Sequence, residues 1–240
     1  MVKEDRLQNN EVNHIRAVRA ALAFDSVYVE TRFIVSQILI KNESKTKGAM
    51  NMRAPIDEPI WYAYPGMVAV VTAQYQGEKN AMASGWHTYI GSSPGMYGIS
   101  VNKETYTYKM IEKSGVFGVN FLPGKCSEFI QALGTHSGRD INKFEEFNIQ
   151  YEEGLKAEIP ILTDAYFAYE CKVHSISTLG DQEWIVGEVL QRYQDKELFL
   201  KNGMPNLEKL DIPLHIGKSS YRILNSKAEE RQHDFYPKTD

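Results

Sequence analysis

Three stretches of the chain gather residue types that could do chemistry. The first is Asn80-Ala81-Met82-Ala83-Ser84-Gly85-Trp86. Small side chains at 81, 83, 84 and 85 let a flat ligand approach the backbone closely. Exposed N–H and C=O groups there could match the edge of a ring that carries donors and acceptors. A tight hairpin packed against a neighbour would use the same residues. The second stretch, Ser100-Val101-Asn102-Lys103-Glu104-Thr105-Tyr106-Thr107, runs from an expected strand into an expected helix. Free N–H groups and two threonine hydroxyls at a helix start suit a phosphate. Plain capping by Asn102 is the simpler use of that segment. The third, Ser137-Gly138-Arg139-Asp140-Ile141-Asn142-Lys143-Phe144, is another loop entering a helix. Arg139 and Lys143 sit near that helix start, where cations are electrostatically unfavourable. Either a bound anion or Asp140 would compensate them.

Other patterns fail on inspection. Gly91-Ser92-Ser93-Pro94-Gly95 is a literal GxSxG. A hydrolase would need the N–H of the residue after Ser93 for its oxyanion hole, and Pro94 has none. The segment after it, MYGISV, reads as a strand, so a turn between strands is expected. Neither GxGxxG nor GxxxxGK[ST] occurs, which removes the usual dinucleotide and P-loop geometries. None of the six histidines pairs with another ligand type at metal-binding spacing. Glu145-Glu146 and Glu152-Glu153 read as solvated faces.

The elements that must position the three stretches are mostly strands. Gly66 to Tyr75 is apolar and β-branched, and Gln76-Gly77-Glu78-Lys79 reads as a hairpin turn. Asn80 to Ile90, Met96 to Val101 and Val116 to Phe121 read as further strands. Tyr166 to Thr178 and Trp184 to Tyr193 form a long pair around Gly180-Asp181, and Pro213 to Tyr221 is a last short strand. Helices are expected over Glu104 to Lys113, Cys126 to Leu133 and Asp140 to Phe147, with Gly115 ending the first. Hairpins dominate, which argues against a doubly wound parallel sheet and favours an antiparallel barrel with short peripheral helices. Residues 1–49 read as an N-terminal extension: a helix with Val12, Ile15, Val18 and Leu22 on one side, an extended Val27 to Ile40, and a polar linker. Either a start codon placed upstream of the true one or a genuine two-element cap packed on the barrel would account for it. The barrel domain is expected over residues 50–240.

The chain has 240 residues and a net charge of −4. That balance argues against a general nucleic-acid binder. An oligonucleotide barrel stacking bases on Trp86, Tyr89, Tyr106 and Tyr108 would have to overcome it. The most apolar stretch, Phe33 to Ile40, is far below the roughly 20 residues of a membrane-spanning helix. The polar start MVKEDRLQNN lacks the apolar core of a secretory leader. A cytoplasmic protein with Cys126 and Cys171 as free thiols is therefore expected.

Taken in order, the segments resemble a known family. They are Asn80 to Trp86, the strand from Pro94 to Ser100-Val101, Thr105-Tyr106-Thr107, Gly115-x-Phe117-x-Val119-Asn120, Ser137-Gly138-Arg139-Asp140-x-x-Lys143-Phe144, Gly180-Asp181 and Val186-Gly187-Glu188-Val189. The set is similar to the flavin reductase-like proteins, FMN-binding split barrels that include the flavoredoxins. It spans about residues 55–222.

The resemblance implies a homodimer of a mainly β, six-stranded Greek-key split barrel with FMN near the dimer interface. Asn80, Ala81, Met82, Ala83, Ser84 and Trp86 would border the isoalloxazine and ribityl chain. Ser100, Thr105 and Thr107 would lie near the ribityl and phosphate groups, and Ser137 and Lys143 would complete the anion site. Family members often carry a histidine after the Gly-Asp. Gln182 stands there instead, and it donates a hydrogen bond without titrating. The implied activity is a flavin reductase that takes hydride from NADH or NADPH and passes electrons to an oxygenase or another acceptor. The alternative is a flavoredoxin-like carrier with tightly held FMN and no direct NAD(P)H activity.

Overall fold

The computed structural model describes residues 55–57 and 63–231. The expected N-terminal extension lies outside the described residues. Twelve strands follow in chain order among them. They are β1 (Gly66–Met67), β2 (Ala69–Tyr75), β3 (Glu78–Ser84), β4 (His87–Ser92), β5 (Gly95–Val101), β6 (Val116–Phe121), β7 (Tyr151–Glu153), β8 (Pro160–Leu162), β9 (Phe167–Leu179), β10 (Gln182–Gln194), β11 (Ile212–Gly217) and β12 (Ser220–Leu224). Three α-helices, α1 (Tyr106–Ser114), α2 (Ser127–Thr135) and α3 (Lys143–Glu146), sit between them.

The main sheet is antiparallel and has seven strands in the order β3-β2-β6-β9-β10-β5-β4. The expected return strand from Asn80 to Ile90 is broken at Gly85-Trp86. That break raises the strand number from six to seven. It also sends β3 and β4, which follow each other in the chain, to opposite edges of the sheet. The curled sheet is thus joined at Gly85-Trp86 by chain connectivity rather than by strand pairing. This opening is the split of the split barrel.

Burial explains the local patterns. β2 reads AVVTAQY and is buried along its first five residues, because both of its faces are covered. Ala69, Val71 and Ala73 face a core with Ile99, Ile111, Phe117 and Ile185. Val70 faces a second core with Ala81, Ile130 and Leu133 beneath α2. Each large, fully buried apolar side chain contributes roughly 1.5–3 kcal/mol. The β2–β3 turn holds Gln76 at φ 51° and Gly77 at φ 83°. Two successive positive φ values match the twist of a two-residue hairpin.

Three expectations change in detail. Thr105, not Asn102, caps α1: its hydroxyl accepts from Tyr108 N at 3.2 Å and donates to Asn102 O at 2.8 Å. Asn102 instead closes a local turn, accepting from Glu104 N at 2.8 Å. Lys143–Glu146 is a single turn rather than an eight-residue helix, because the preceding loop forms its own backbone turn from Ser137 O to Asp140 N. The expected strand over Pro213 to Tyr221 is the β11–β12 hairpin, whose tip places Lys218 at φ 54°. The GSSPG segment connects β4 to β5, as expected of a turn. Cys126 and Cys171 are both free. Among the described residues, no helix is long and apolar enough to cross a membrane.

Candidate functional site

A cleft of about 580 Å³ opens where the barrel fails to close. Met82, Ala83 and Ser84 at the end of β3, then Gly85 and Trp86, form one wall. Ser100 and Val101 at the end of β5, with Asn102, form a second. The two walls are tied by a hydrogen bond from Ser100 N to Trp86 O at 2.8 Å. Ile130, Gln131 and Gly134 of α2 face them. The tip of the β11–β12 hairpin brings His215, Lys218 and Tyr221. Tyr221 donates its hydroxyl to Gln131 at 3.2 Å, joining the hairpin to α2.

The chemistry of this lining is one-sided. Lys218 supplies a cation, while Ser84, Ser100, Asn102, Gln131 and Tyr221 supply hydroxyls and amides. Among the described residues, no carboxylate lines the cleft. Ser84 is 4% exposed, and its buried Oγ has no hydrogen-bond partner among the described residues. An orphaned buried hydroxyl is costly and marks a place where a ligand atom can complete it. Trp86, 45% exposed, offers an aromatic surface at the mouth.

The expected site residues divide. Met82, Ala83, Ser84, Trp86 and Ser100 line the cleft together. Asn80 and Thr107 lie outside the cleft lining, buried and paired through Asn80 Nδ2 donating to Thr107 Oγ1 at 2.9 Å. Ala81 is buried, and its carbonyl accepts from Lys143 Nζ at 2.9 Å. Thr105 uses its hydroxyl on the α1 cap. Ser137 accepts from Arg139 N at 3.2 Å in its own loop. Lys143 is 3% exposed and lies outside the cleft lining, with Nζ also donating to Leu133 O at 2.7 Å. Gln182 starts β10 opposite Leu179 and is outside the lining as well.

Sequence reasoning missed Gln131, His215, Lys218 and Tyr221. The signal for Lys218 was present: Gly217-Lys218-Ser219 is turn chemistry in the middle of what reads as one strand. Gln131 carried no such signal, because only the packing of α2 against β3 brings it to the cleft.

Comparison with known proteins agrees with this architecture. The model of the flavin reductase like domain matches residues 61–221. An uncharacterized protein of Aeropyrum pernix is 28% identical over 176 residues, covering 70% of this chain and 66% of that one. The FMN-binding protein of Thermus thermophilus, solved with 1-cyclohex-2-enone bound, superposes with a TM-score of 0.67 at 28% identity. That superposition covers 76% of this chain and all of the other. Flavoredoxin of Methanosarcina acetivorans superposes at 0.65 and 26% identity, over 78% of this chain and 96% of its own. The family match spans the cleft-forming strands and ends at Tyr221 on the cleft's hairpin, and the chain belongs to the flavin reductase-like family.

Proposed function

We propose that this protein holds FMN in the cleft at the barrel split and works as a flavin-dependent reductase fed by NADH or NADPH. The orphaned Ser84 Oγ, in the wall of a cleft whose described lining includes Lys218 and no carboxylate, carries this reading. A volume of about 580 Å³ is in the range of cofactor pockets. The small strip at Ala83-Ser84-Gly85 leaves the backbone open to a flat ring, and Lys218 supplies charge for a phosphate. FMN, once bound, supplies the hydride and electron chemistry. The chain's own part is binding, orientation and exclusion of water. Ser84 and Ser100 offer hydroxyls, Asn102 and Gln131 offer amides, and Trp86 covers one side. No acid/base triad is required of the protein.

We further propose a homodimer. β4 is an edge strand with Ile90 48% exposed, and Ile90 packs near Trp184 over Gly98. Met96 and Val186 lie on the same face by register. A second copy covering this apolar face would sit beside Trp86 and the cleft.

A second reading, a flavoredoxin-like electron carrier, is favoured by the 26% identity to the Methanosarcina flavoredoxin. One experiment separates the two. Purified protein is mixed with FMN, desalted, and reduced anaerobically with NADH and then NADPH. Bleaching of the flavin band by a nicotinamide is the expected result. A band that yields only to dithionite supports the carrier. Failure to retain or bind FMN overturns both.

A further inference from the structure

Lys143 is a buried cation with unusual partners. The residue is 3% exposed, and both hydrogen bonds its ammonium makes among the described residues go to backbone carbonyls. One is Ala81 O on β3 at 2.9 Å, and the other is Leu133 O near the end of α2 at 2.7 Å. The next residues along each element are cleft walls: Met82 to Ser84 on β3, and Gly134 on α2. The walls meet closely, since a Cβ added at Gly134 would stand 3.2 Å from the Ala83 methyl. The ammonium also neutralises an orphan carbonyl in the last turn of α2, where a cation is favoured.

We propose that Lys143 is a positioning residue for the cleft: its ammonium lashes β3 to α2 and so holds two walls at their working separation. This rests on the flavin reading above. Lys143 then serves FMN without touching it, and its charge is spent on carbonyls rather than on a phosphate. Desolvation lowers its pKa to about 8. The charged groups on the packed elements are Glu78 and Lys79 on β3, Glu128 on α2 with His136 beyond it, Glu145 and Glu146 on its own turn, Arg139 and Asp140 before it, and Glu152 and Glu153 on β7. None of them is a hydrogen-bond or ion-pair partner of Nζ.

The sign of the pH effect separates positioning from mere stability. Below pH 8 the charged amine grips both carbonyls; above it the neutral amine grips them more weakly. Flavin affinity therefore falls as pH rises through 8. Fold stability moves the other way, because the folded chain releases this proton before the unfolded chain does.

The test titrates FMN and riboflavin into wild type and Lys143→Met from roughly pH 6.5 to 9.5, with thermal melts of the flavin-free chains alongside. Wild type is expected to lose affinity for both flavins equally, about threefold, across pH 8, while its melting temperature does not fall. Lys143→Met is expected to bind both about tenfold more weakly at pH 7 with a flat profile. If the variant does not fold, the wild-type curves decide alone. A selective loss of FMN would place Lys143 on the phosphate and overturn the proposal. A flat wild-type profile, or affinity and melting temperature falling together, would also overturn it. Wild type that binds neither flavin at pH 7 refutes the flavin reading itself, and the proposal with it.

Discussion

Two hollows lie at the two ends of β3, and they differ in charge more than in size. The cleft at the Ser84 end measures about 580 Å³ and, among the described residues, has Lys218 but no carboxylate in its lining. The hollow at the Glu78 end is larger, about 830 Å³, and is lined by Glu78, Asp140 and Glu145. Its cations are already committed. Arg139 donates to Glu104 O, and Lys79 pairs with Glu153 at 3.7 Å while lying 5.2 Å over the Tyr151 ring. Tyr106 donates to Glu78. A phosphate would meet Glu78, Asp140 and Glu145 in the larger hollow, and Lys218 with the orphaned Ser84 hydroxyl in the smaller one. Volume alone favours the larger hollow, whereas the sign of the lining favours the smaller for an anionic ligand.

Charge reversal tests that contrast most strongly. Lys218→Glu should raise the FMN dissociation constant by about ten- to a hundredfold, or about 1.4–2.7 kcal/mol. Riboflavin, which lacks the phosphate, should change far less. Glu145→Lys in the acidic hollow should leave both unchanged. Fluorescence titration of both flavins into the three proteins checks this. Equal losses for FMN and riboflavin would take Lys218 off the phosphate.

The middle of β3 separates the hollows, and Asn80 fixes it there. Its amide donates to Thr107 Oγ1 in a fully buried contact. Thr107→Val keeps the shape and removes the acceptor. The loss should be about 1–2 kcal/mol, read from urea denaturation. A neutral outcome would mean that the Asn80 amide finds another acceptor.

Much of this was legible in the sequence. The β-branched runs at Val68 to Thr72 and Val116 to Val119, and the long pair around Gly180-Asp181, gave strands at the right places because burial demands those residue types. Met82 to Trp86 and Ser100 meet in one cleft because small residues cluster where backbone must stay accessible. The split itself was not legible. Nothing local in Gly85-Trp86 says that the strands on either side belong to opposite sheet edges; only the closing of the whole sheet decides it. Lys143 was misleading for a related reason. A lysine near a helix start reads as a surface charge awaiting an anion, and only the tertiary packing of α2 on β3 supplies the two carbonyls that bury it.

The start of α1 stands between the two hollows, with Asn102 lining one and Tyr106 the other. Thr105 caps it, so Thr105→Ala should cost about 1 kcal/mol of stability. If the effect on FMN greatly exceeds the effect on riboflavin, the hydroxyl also serves the phosphate; equal small effects leave it as a cap. Thermal melts and the same titrations provide both readings.

The smallest effect concerns the cleft side alone. His87 Nε2 stands 3.1 Å from Met67 O, and its Nδ1 stands 2.6 Å from the Tyr97 hydroxyl. A carbonyl only accepts, so Nε2 carries the hydrogen, and neutral Nδ1 accepts from Tyr97. Burial lowers the His87 pKa, partly opposed by the Met67 carbonyl. The unfolded chain therefore takes up a proton near pH 6.5 before the folded chain does, and this group's contribution to stability is lost as pH falls through that range. Urea midpoints should drop between about pH 7.5 and 5.5 in wild type and drop less in His87→Gln. Met67 lines the cleft, so if His87 holds that wall, flavin affinity should weaken only at lower pH, where folded His87 itself takes up the proton. Affinity that stays constant through that lower range in still-folded protein would make His87 a support of the barrel interior and leave the cleft wall to the β3–α2 side.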